Sequence, residues 1–520
     1  PRFGCANRAP KSKKGSFCYA KAMVIKMKRR LITSLISVSL LAASCGSQGE
    51  TPVTTSPDTS ADTTAEETTS RLEPELPDKR WDGYEFRVLT RGTTNVHWKS
   101  KDIAASEENG DIINDAVYKR NLAVSDRFGV KFVDIPATAN AWNISADLRP
   151  SILSGSDDYD MATGSVNDML RNLAPEGLLT DLTTVPYMDL TKPWYDQKSI
   201  DQLSIGGKAF AVTGDLLIMD DEATLAILFN KKMAEDYKLP DLYELVDSGK
   251  WTIDKMNEFA AEVADDLDSD GKMGAKDQYG LISEDINTYA LMIGSGTSAT
   301  KRGDSGKFEF NVKSEKFYDA FTKAVKLNCD YDITMFASKF YDQASKDVWG
   351  EILDPTFSDG RALFNMAGLV RVTHFRAMEI DFGIIPTPKY DEAQDNYYSM
   401  VSTGCSNSIT IPSTATDLER TGAIIEALSA KGYYNVKSAY YDNVLKTKSA
   451  RDEESGKMLD IIFENRIYDP EYTYAWGGLL NATVIAPLSK DANITSAIET
   501  KLSAAQTALD KTYEDYAKLK

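Results

Sequence analysis

Hydrophobic and polar positions after about residue 80 alternate between two periods. Residues 84–90, 130–135 and 159–164 are short runs of alternating or β-branched and aromatic character, which predicts three strands. Residues 111–128 and 142–153 instead carry apolar side chains at helical spacing, which predicts a helix between each pair of strands. This strand–helix alternation favours an α/β lobe with a largely parallel sheet.

The loops that follow these strands are the expected binding positions. In open α/β sheets, ligands bind beyond the carboxyl ends of the strands. Two predicted strands end at Thr90–Arg91 and at Gly164–Ser165. Because polar side chains continue the second loop, we expect solute-binding residues there: Gly164, Ser165, Asn167 and Asp168.

A different pattern lies near the beginning of the chain. Residues 28–30 are basic, residues 31–41 form a short apolar run, and the small residues 42–44 lead into Cys45. The apolar run is too short to span a bilayer, so the pattern predicts a cleaved export signal. The small residues and the cysteine resemble the lipobox of bacterial lipoproteins, although Ala42 stands where that motif prefers leucine. The resemblance implies a lipid on Cys45; a plain secretory signal with a chance cysteine is the alternative.

The residues around this signal are predicted to lie outside the folded part. Residues 1–22 contain no methionine, so we interpret residues 1–44 as an over-extended start followed by the signal. Residues 45–79 are dominated by Thr, Ser, Pro, Asp and Glu, which predicts a disordered tether. We therefore expect a protein anchored by lipid to the extracytoplasmic face of the cell membrane.

Charge and composition exclude several functions. The chain carries 59 basic and 78 acidic residues, and the ten basic residues within 1–44 leave 49 against 78 after processing. A net charge near −29 argues against a nucleic-acid partner, which needs a basic surface. Only two histidines exist, His97 and His374, so a His-ligated catalytic zinc or a Ser-His-Asp enzyme has few residues available. Cys329 and Cys405 form either one disulfide or two buried thiols.

The sharpest local motif is the acidic run at residues 266–277. Acids stand at positions one, three and five, Gly271 stands at position six, and an acid stands at position twelve. This spacing is typical of a calcium loop, in which a backbone carbonyl supplies a further oxygen. The alternative is an acidic turn in solvent, and an aspartate replaces the usual glutamate at position twelve. The predicted ligands are Asp266, Asp268, Asp270, Lys272 through its carbonyl, and Asp277.

Several segments, taken in order, resemble the extracellular solute-binding lipoproteins of sugar-type ABC transporters. They include "DDYDMATGSVNDMLRNLAPEGLLTDL", "GGKAFAVTGDLLIMDDEATLAILFNKKM", "FSDGRALFNMAGL" and "YTYAWGGLL". The match runs over nearly all of residues 80–520, and its specificity lies in the ordered set. The resemblance implies an α/β, two-lobe fold of the periplasmic-binding-protein type, with strands that cross between the lobes.

The resemblance also implies where the lobes begin and end. It places the crossings near residues 210–225, 398–404 and 446–455. One lobe would comprise residues 80–212 with 402–450, and the other residues 215–398 with 455–520. Solute would lie in the cleft between the lobes, and hinge motion would close the cleft.

Aromatic and acidic side chains are the remaining candidates for solute contact. A sugar has apolar C–H faces and hydroxyls at its rim, so its sites pair aromatic platforms with polar groups. Trp194 with Tyr195, and Tyr474 with Trp476, fit this requirement, although core packing is the alternative for each. Trp476 also corresponds in order to a cleft tryptophan of the maltodextrin-binding type. The acids after the first crossing complete the set of expected solute contacts: Asp220 and Asp221.

These observations favour a non-enzymatic binding protein that captures a carbohydrate, expected to be an oligosaccharide, and delivers it to an ABC permease. We expect a monomer that contacts the permease subunits and the membrane, with a structural calcium ion as the candidate cofactor. A secreted glycoside hydrolase is the alternative from another class, but no segment suggests an eight-fold barrel. A sensor that presents solute to a membrane kinase would have the same fold.

Overall fold

Two separate β-sheets organise the folded part of the chain. The computed structural model describes residues 71–94, 97–138, 141–442, 445, 453–485 and 493–519. The predicted signal, Cys45 and most of the predicted tether therefore lie outside the described residues. The strands, in chain order, are β1 Glu85–Thr90, β2 Lys131–Pro136, β3 Met161–Ser165, β4 Leu225–Asn230, β5 Tyr279–Ser283, β6 Thr300–Arg302, β7 Phe308–Phe310, β8 Thr334–Phe336, β9 Ala362–Gly368, β10 Phe382–Ile385, β11 Ser399–Met400, β12 Asn407–Thr410 and β13 Arg466–Ile467.

The first sheet has the strand order β12-β3-β1-β2. Strand β1 runs parallel to β2 and to β3, and β12 pairs antiparallel with β3. The three strands predicted from periodicity are confirmed, with boundaries that differ by at most two residues. Strand β12 comes from much later in the chain, which makes the first lobe discontinuous in sequence.

The second sheet has the strand order β10-β4-β9-β5-β8. Strand β5 runs parallel to β8 and β9, whereas β4 runs antiparallel to β9 and β10. Every residue of β4 is buried. Leu225, Ile227 and Phe229 pack into one core cluster and Ala226 and Leu228 into another, so both faces of this sheet are covered.

Helices cover the sheets and connect their strands. In chain order they are α1 Ile112–Phe128, α2 Ser145–Leu153, α3 Val166–Asn172, α4 Gln197–Leu203, α5 Met219–Glu222, α6 Lys231–Asp236, α7 Leu242–Asp247, α8 Ile253–Val263, α9 Asp285–Gly294, α10 Glu315–Asn328, α11 Asp354–Ser358, α12 Val370–His374, α13 Leu418–Ser438, α14 Glu453–Glu464, α15 Pro470–Tyr474 and α16 Ile494–Lys518. Among the described residues, none of the helices is both long enough and apolar enough to cross a membrane.

Helix α1 shows how local sequence sets the boundaries of an element. The Asp111 carboxylate accepts hydrogen bonds from the amides of Ile113 and Asn114, which satisfies two donors at the helix start. Gly129 ends the helix with φ 71°, a left-handed conformation that glycine adopts without steric cost. The prediction of a helix over residues 111–128 is confirmed. Helix α2 begins three residues later than predicted, at Ser145.

Crossing segments join the lobes of this fold. Val212 bridges to Ile409 of the first sheet, and Thr224 then bridges to Val401 just before β4 begins the second sheet. Strand β11 pairs in parallel with β13, so the chain beyond α14 adds a further strand at the crossing. Val212 and Thr224 lie within the range predicted for the first crossing, and Val401 and β11 within that predicted for the second, whereas their partners Ile409 and β13 lie outside the predicted ranges. Most of the third, at residues 446–455, lies outside the described residues.

The end of the chain differs from the predicted lobe boundaries. Arg171 of α3 in the first lobe donates from Nε to the Thr473 carbonyl at 2.6 Å, so α15 lies against the first lobe. Helix α16 places Ile498 in a core cluster of the second lobe. Farther along, its Tyr516 ring packs edge-on against Phe210 at 5.0 Å between centroids. Residues 455–520 therefore contact both lobes and do not belong to the second lobe alone.

Candidate functional site

Loops that follow strands of both sheets meet between the lobes. His97, on the loop after β1, lies 2.7 Å from the Asp347 carboxylate on the loop after β8. Trp98 packs against the end of β9, where a Cβ added to Gly368 would lie 3.1 Å from the indole ring. Lys101 forms an ion pair with Glu222 beside the first crossing. These contacts locate the cleft at the carboxyl ends of the strands, as expected for this sheet type.

Arg91 and Trp142 form the first-lobe side of this cleft. Arg91 directly follows β1, is fully buried, and donates from Nη1 to the Cys405 carbonyl at 2.8 Å. Its guanidinium carbon lies 4.9 Å from the centroid of the Trp142 ring, which is 41% exposed. Burial lowers the pKa of Arg91. The first lobe thus presents an aromatic face backed by a buried cation.

Arg371 and Trp349 form a similar pair on the second lobe. Arg371 lies in α12, immediately after β9, and its guanidinium carbon is 4.4 Å from the centroid of the Trp349 ring. Its Nη1 donates to the Asp354 carboxylate at 2.6 Å. Glu284, which follows β5, has its pKa raised to about 7 by burial, and the charge of Arg371 opposes that shift.

Charged side chains of both lobes act on the pKa of the Cys405 thiol. Burial raises the pKa of this thiol to about 11, and the charges of Arg91, Glu284 and Arg371 all act on it. Tyr472 belongs to the same neighbourhood, because its pKa is raised to about 12 by burial and then by the charge of Cys405. We call the following residues the cleft group: Arg91, Trp142, Asn167, Glu284, Trp349, Arg371, Cys405 and Tyr472.

The seven tryptophans divide sharply by position. Three of them are core residues with 0–3% exposure, and one packs on the Phe128 ring at 5.5 Å. The other three face the cleft after strands, two of them on loops and the third at the start of the π-helix Trp349–Leu353. The core tryptophans are Trp194, Trp251 and Trp476. The tryptophan that packs on Phe128 is Trp81, and the cleft tryptophans are Trp98, Trp142 and Trp349.

Trp194 and Tyr195 are core residues, which corrects their predicted role in solute binding. Trp194 is fully buried, and its Nε1 donates to Oε1 of Glu426 at 3.1 Å. Tyr195 donates from its hydroxyl to Oε2 of the same carboxylate at 2.7 Å. A single glutamate of α13 therefore satisfies both polar atoms inside the first lobe, and neither ring reaches the cleft.

Trp476 and Tyr474 are also core residues, against the prediction of a stacking platform. Their rings stack on each other with centroids 5.0 Å apart and an interplanar angle of 5°. Trp476 is 3% exposed and donates from Nε1 to Oγ1 of Thr512 in α16 at 2.9 Å. Gly477 has φ 63°, and a Cβ there would lie 2.7 Å from the Ala505 amide nitrogen. Gly477 therefore allows close packing of this segment on α16.

The predicted loop after β3 has mixed roles. A Cβ on Gly164 would lie 2.7 Å from the Ile144 side chain, so this glycine serves the packing of α2. Asp168 is buried, and its carboxylate accepts from the amide and hydroxyl of Ser145, which corrects its predicted role as a solute contact. Ser165 is 4% exposed at the start of α3. Asn167 lies beside the cleft, and its Oδ1 has no hydrogen-bond partner among the described residues.

Asp220 and Asp221 lie at the first crossing, as predicted, but they pair with the protein itself. Arg466 of β13 donates from Nη1 to Asp221 at 2.6 Å and also binds Asp196. Burial raises the pKa of Asp220 well above its usual range, and the neighbouring charge of Asp221 adds to that shift. The structure therefore uses these acids to join the crossing segments, in place of the predicted contact with solute.

The predicted calcium loop is partly assembled. The carboxylates of Asp266, Asp268 and Asp270 offer ligand atoms within 4.8 Å of one another. Asp277 instead accepts hydrogen bonds from the amides of Leu267 at 3.0 Å and Gly274 at 2.6 Å. The carboxylate of Asp277, at position twelve, therefore stabilises the loop through hydrogen bonds to its backbone. The other three predicted ligand side chains remain grouped.

Sequence reasoning missed most of the cleft group. The rule that ligands bind beyond the carboxyl ends of strands pointed to Arg91, and the same rule applied to β2 would have reached Trp142. Trp349 begins a π-helix of five residues, which is too short for periodicity to reveal. Arg371 lies in a helix of five residues, which is equally difficult to detect. Cys329 and Cys405 are both free thiols, which decides between the two alternatives left open for them.

Known structures share this two-lobe arrangement. An ABC substrate-binding protein from Listeria monocytogenes in complex with cycloalternan is 13% identical with a TM-score of 0.52, and the match covers 84% of this chain and 100% of that one. A cyclo/maltodextrin-binding protein complexed with maltotetraose is 14% identical with a TM-score of 0.51, covering 84% and 97%. The maltose-maltodextrin binding protein of Alicyclobacillus acidocaldarius is 13% identical with a TM-score of 0.51, covering 81% and 100%.

These similarities define the class by its fold. The chain has the two-lobe α/β fold of periplasmic-type binding proteins, as the ordered sequence segments implied. No protein-family profile and no curated protein sequence matches this chain.

Proposed function

We propose that this protein captures a carbohydrate in the cleft between its lobes and delivers it to an ABC permease without changing it chemically. The observation that carries the proposal is the pair of arginine-backed tryptophans, Trp142 with Arg91 and Trp349 with Arg371, one on each lobe. The structures of similar fold with bound cycloalternan and maltotetraose support an oligosaccharide as the solute.

The chemistry of the cleft group suits a sugar. Indole rings cover the apolar C–H face of a pyranose, and a nearby guanidinium holds each ring in place. Glu284 and the Asn167 amide oxygen are acceptors for sugar hydroxyls, and the Tyr472 hydroxyl both donates and accepts. The site is therefore better suited to a neutral, hydroxyl-rich ligand than to a peptide or a nucleotide.

The position of the cleft group between the two lobes explains how the protein would capture a solute. A solute that contacts both lobes binds the closed arrangement more tightly than the open one, so it shifts the population toward closure. The crossing segments at Val212, Thr224 and β11 connect the two sheets within the described part of the chain, so they can carry that motion.

Calorimetric titration with maltotriose, maltotetraose and a cyclic α-glucan tests the proposal. Trp142→Ala and Trp349→Ala should each weaken binding by about 2 kcal/mol, roughly 30-fold, because each removes one aromatic platform. Trp81→Ala is the matched control, since this ring packs on Phe128 away from the cleft, and it should leave the affinity unchanged.

Two outcomes would overturn this assignment. Equal affinity in wild type and both cleft variants would remove the tryptophans from the site. Cleavage of the oligosaccharide during the titration, followed by chromatography, would favour the glycoside hydrolase alternative.

We further propose that Cys45 carries a lipid that anchors the protein at the extracytoplasmic face. The basic residues, the short apolar run and the small residues before the cysteine support this assignment. Cys45→Ala should release the protein from membranes or block processing, as measured by cell fractionation. Identical membrane association of the variant and wild type would refute the anchor.

A structural calcium ion at Asp266, Asp268 and Asp270 is the third part of the proposal. The grouped carboxylates support it, and Oδ1 of Asp266 is buried without a hydrogen-bond partner among the described residues. A chelator should lower the melting temperature of the calcium-loaded protein, and Asp268→Ala should remove that sensitivity. If chelation leaves calcium-loaded wild type unchanged, the segment is an acidic turn only.

A further inference from the structure

The only two histidines of the chain meet between the lobes. His97 lies on the first-lobe loop after β1, and His374 ends α12 of the second lobe. Their ring centroids are 5.4 Å apart. Asp354, at the start of α11, completes the cluster, and the ligand atoms of all three residues lie within 4.8 Å of one another. Taken separately in sequence, the histidines gave no indication of this cluster.

The three side chains converge on one point. Nη1 of Arg371 occupies that point, 3.2 Å from Nδ1 of His97, 3.2 Å from Nδ1 of His374 and 2.6 Å from Oδ2 of Asp354. Both imidazoles therefore direct an unprotonated Nδ1 at a cation. Burial lowers the pKa of both rings, and the charge of Arg371 lowers each further.

Asp347 orients one of these rings from behind. Nε2 of His97 lies 2.7 Å from Oδ2 of Asp347, so the ring donates there while Nδ1 accepts at the centre of the cluster. A carboxylate behind a histidine is the usual support of a metal ligand, since it fixes the tautomer and raises the basicity of the coordinating nitrogen.

We propose that His97, Asp354 and His374 bind a divalent transition-metal ion such as Zn²⁺, which connects the first lobe to the second. Two imidazoles and one carboxylate are a common ligand set for this ion, with water in the remaining position. Tetrahedral ligands at roughly 2.0–2.1 Å from zinc lie about 3.4 Å apart. Nδ1 of His374 and Oδ2 of Asp354 are already 3.9 Å apart, so small side-chain rotations complete the geometry.

The metal must displace the Arg371 guanidinium, because two cations cannot share the centre of the cluster. Glu284 is a carboxylate that already interacts with Arg371 electrostatically, and it can receive the displaced charge. Access is open, since a pocket of about 590 Å³ reaches the cluster between Gly350, Pro355 and Phe375. Arg371 thus acts as an internal cation that competes with the metal.

The site would also regulate solute capture, an extension that rests on the proposed function. His97 belongs to one lobe and Asp354 and His374 to the other, so a bound ion favours the closed arrangement.

Calorimetric titration of the metal-stripped protein with ZnCl₂ alone, without sugar, tests the site. His97→Gln and His374→Gln should each lower zinc affinity by about 100-fold or more, and Asp347→Asn by about tenfold. Arg371→Met should raise zinc affinity, because it removes the competing cation. Asp236→Asn is the control, since this exposed carboxylate pairs with Lys232 on α6, outside both proposed metal sites, and it should leave zinc affinity unchanged. Co²⁺ supplies a second readout through its visible absorption when imidazoles coordinate it.

The outcomes separate this inference from the solute proposal. Absence of zinc binding, or equal zinc affinity in wild type and both histidine variants, would overturn the metal site. Weaker zinc binding in Arg371→Met would also contradict it, because that result assigns Arg371 a supporting role. Melting temperatures without zinc establish that each variant is folded. Failure of sugar binding would leave the zinc titration unaffected and would reject only the proposed solute.

Discussion

Glu426 offers a quantitative test of the core beneath Trp194 and Tyr195. Its carboxylate is 1% exposed and accepts from both aromatic side chains. Burial raises its pKa from 4.5 to about 7, although the hydrogen bonds from Tyr195 and Trp194 oppose the shift. Glu426→Gln removes the titrating group and keeps an acceptor for Trp194.

The sign of the pH dependence follows from the direction of the shift. Because the pKa of Glu426 is higher in the folded chain than in the unfolded chain, the folded state binds the proton more tightly. The stability from this proton is fully present below pH 4.5 and is lost as the pH rises through about 7. At 1.36 kcal/mol per pKa unit, the change between pH 5 and pH 8 is about 2.5 kcal/mol.

Urea denaturation of wild type and Glu426→Gln at pH 5 and pH 8 measures this effect. The free energy of unfolding of the variant, relative to wild type, should rise by about 2.5 kcal/mol between the two pH values. Glu419→Gln is the matched control on the same helix, because its side chain is exposed and pairs with Lys79 at 3.0 Å. Parallel pH profiles for Glu426→Gln and wild type would refute the burial of this carboxyl.

Two further substitutions test the packing. Trp476→Ala should lower the free energy of unfolding by roughly 3–5 kcal/mol and leave sugar affinity in the folded fraction unchanged, because the ring is in the core. Weaker sugar binding at unchanged stability would instead show that Trp476 contacts the solute. Gly432→Ala should destabilise by about 1–3 kcal/mol in urea denaturation, since the added Cβ would lie 1.9 Å from the Asp215 carbonyl oxygen. A stability gain of about 1 kcal/mol, the usual effect of alanine in a helix, would show that α13 does not pack so closely.

The amino-acid sequence alone determined the local elements of the first lobe. Alternation over residues 84–90 and 130–135 identified β1 and β2, because side chains on a half-buried strand repeat every second residue. Asp111 and Gly129 marked the ends of α1, because capping depends on neighbours in the chain. The acids at 266, 268 and 270 share one loop, so their spacing alone was enough to group them.

Only the tertiary structure decided which aromatic rings face solute. Trp194 and Trp476 carry the same local signals as a binding platform, but partners 232 and 36 residues away bury them. Arg371 and Trp349 meet through folding within the second lobe, and His97 meets His374 only where the two lobes come together. Local patterns record the period of an element and the composition of a loop. Contact between distant segments depends on long-range packing, so the cleft group and the histidine cluster could be recognised only in the folded protein.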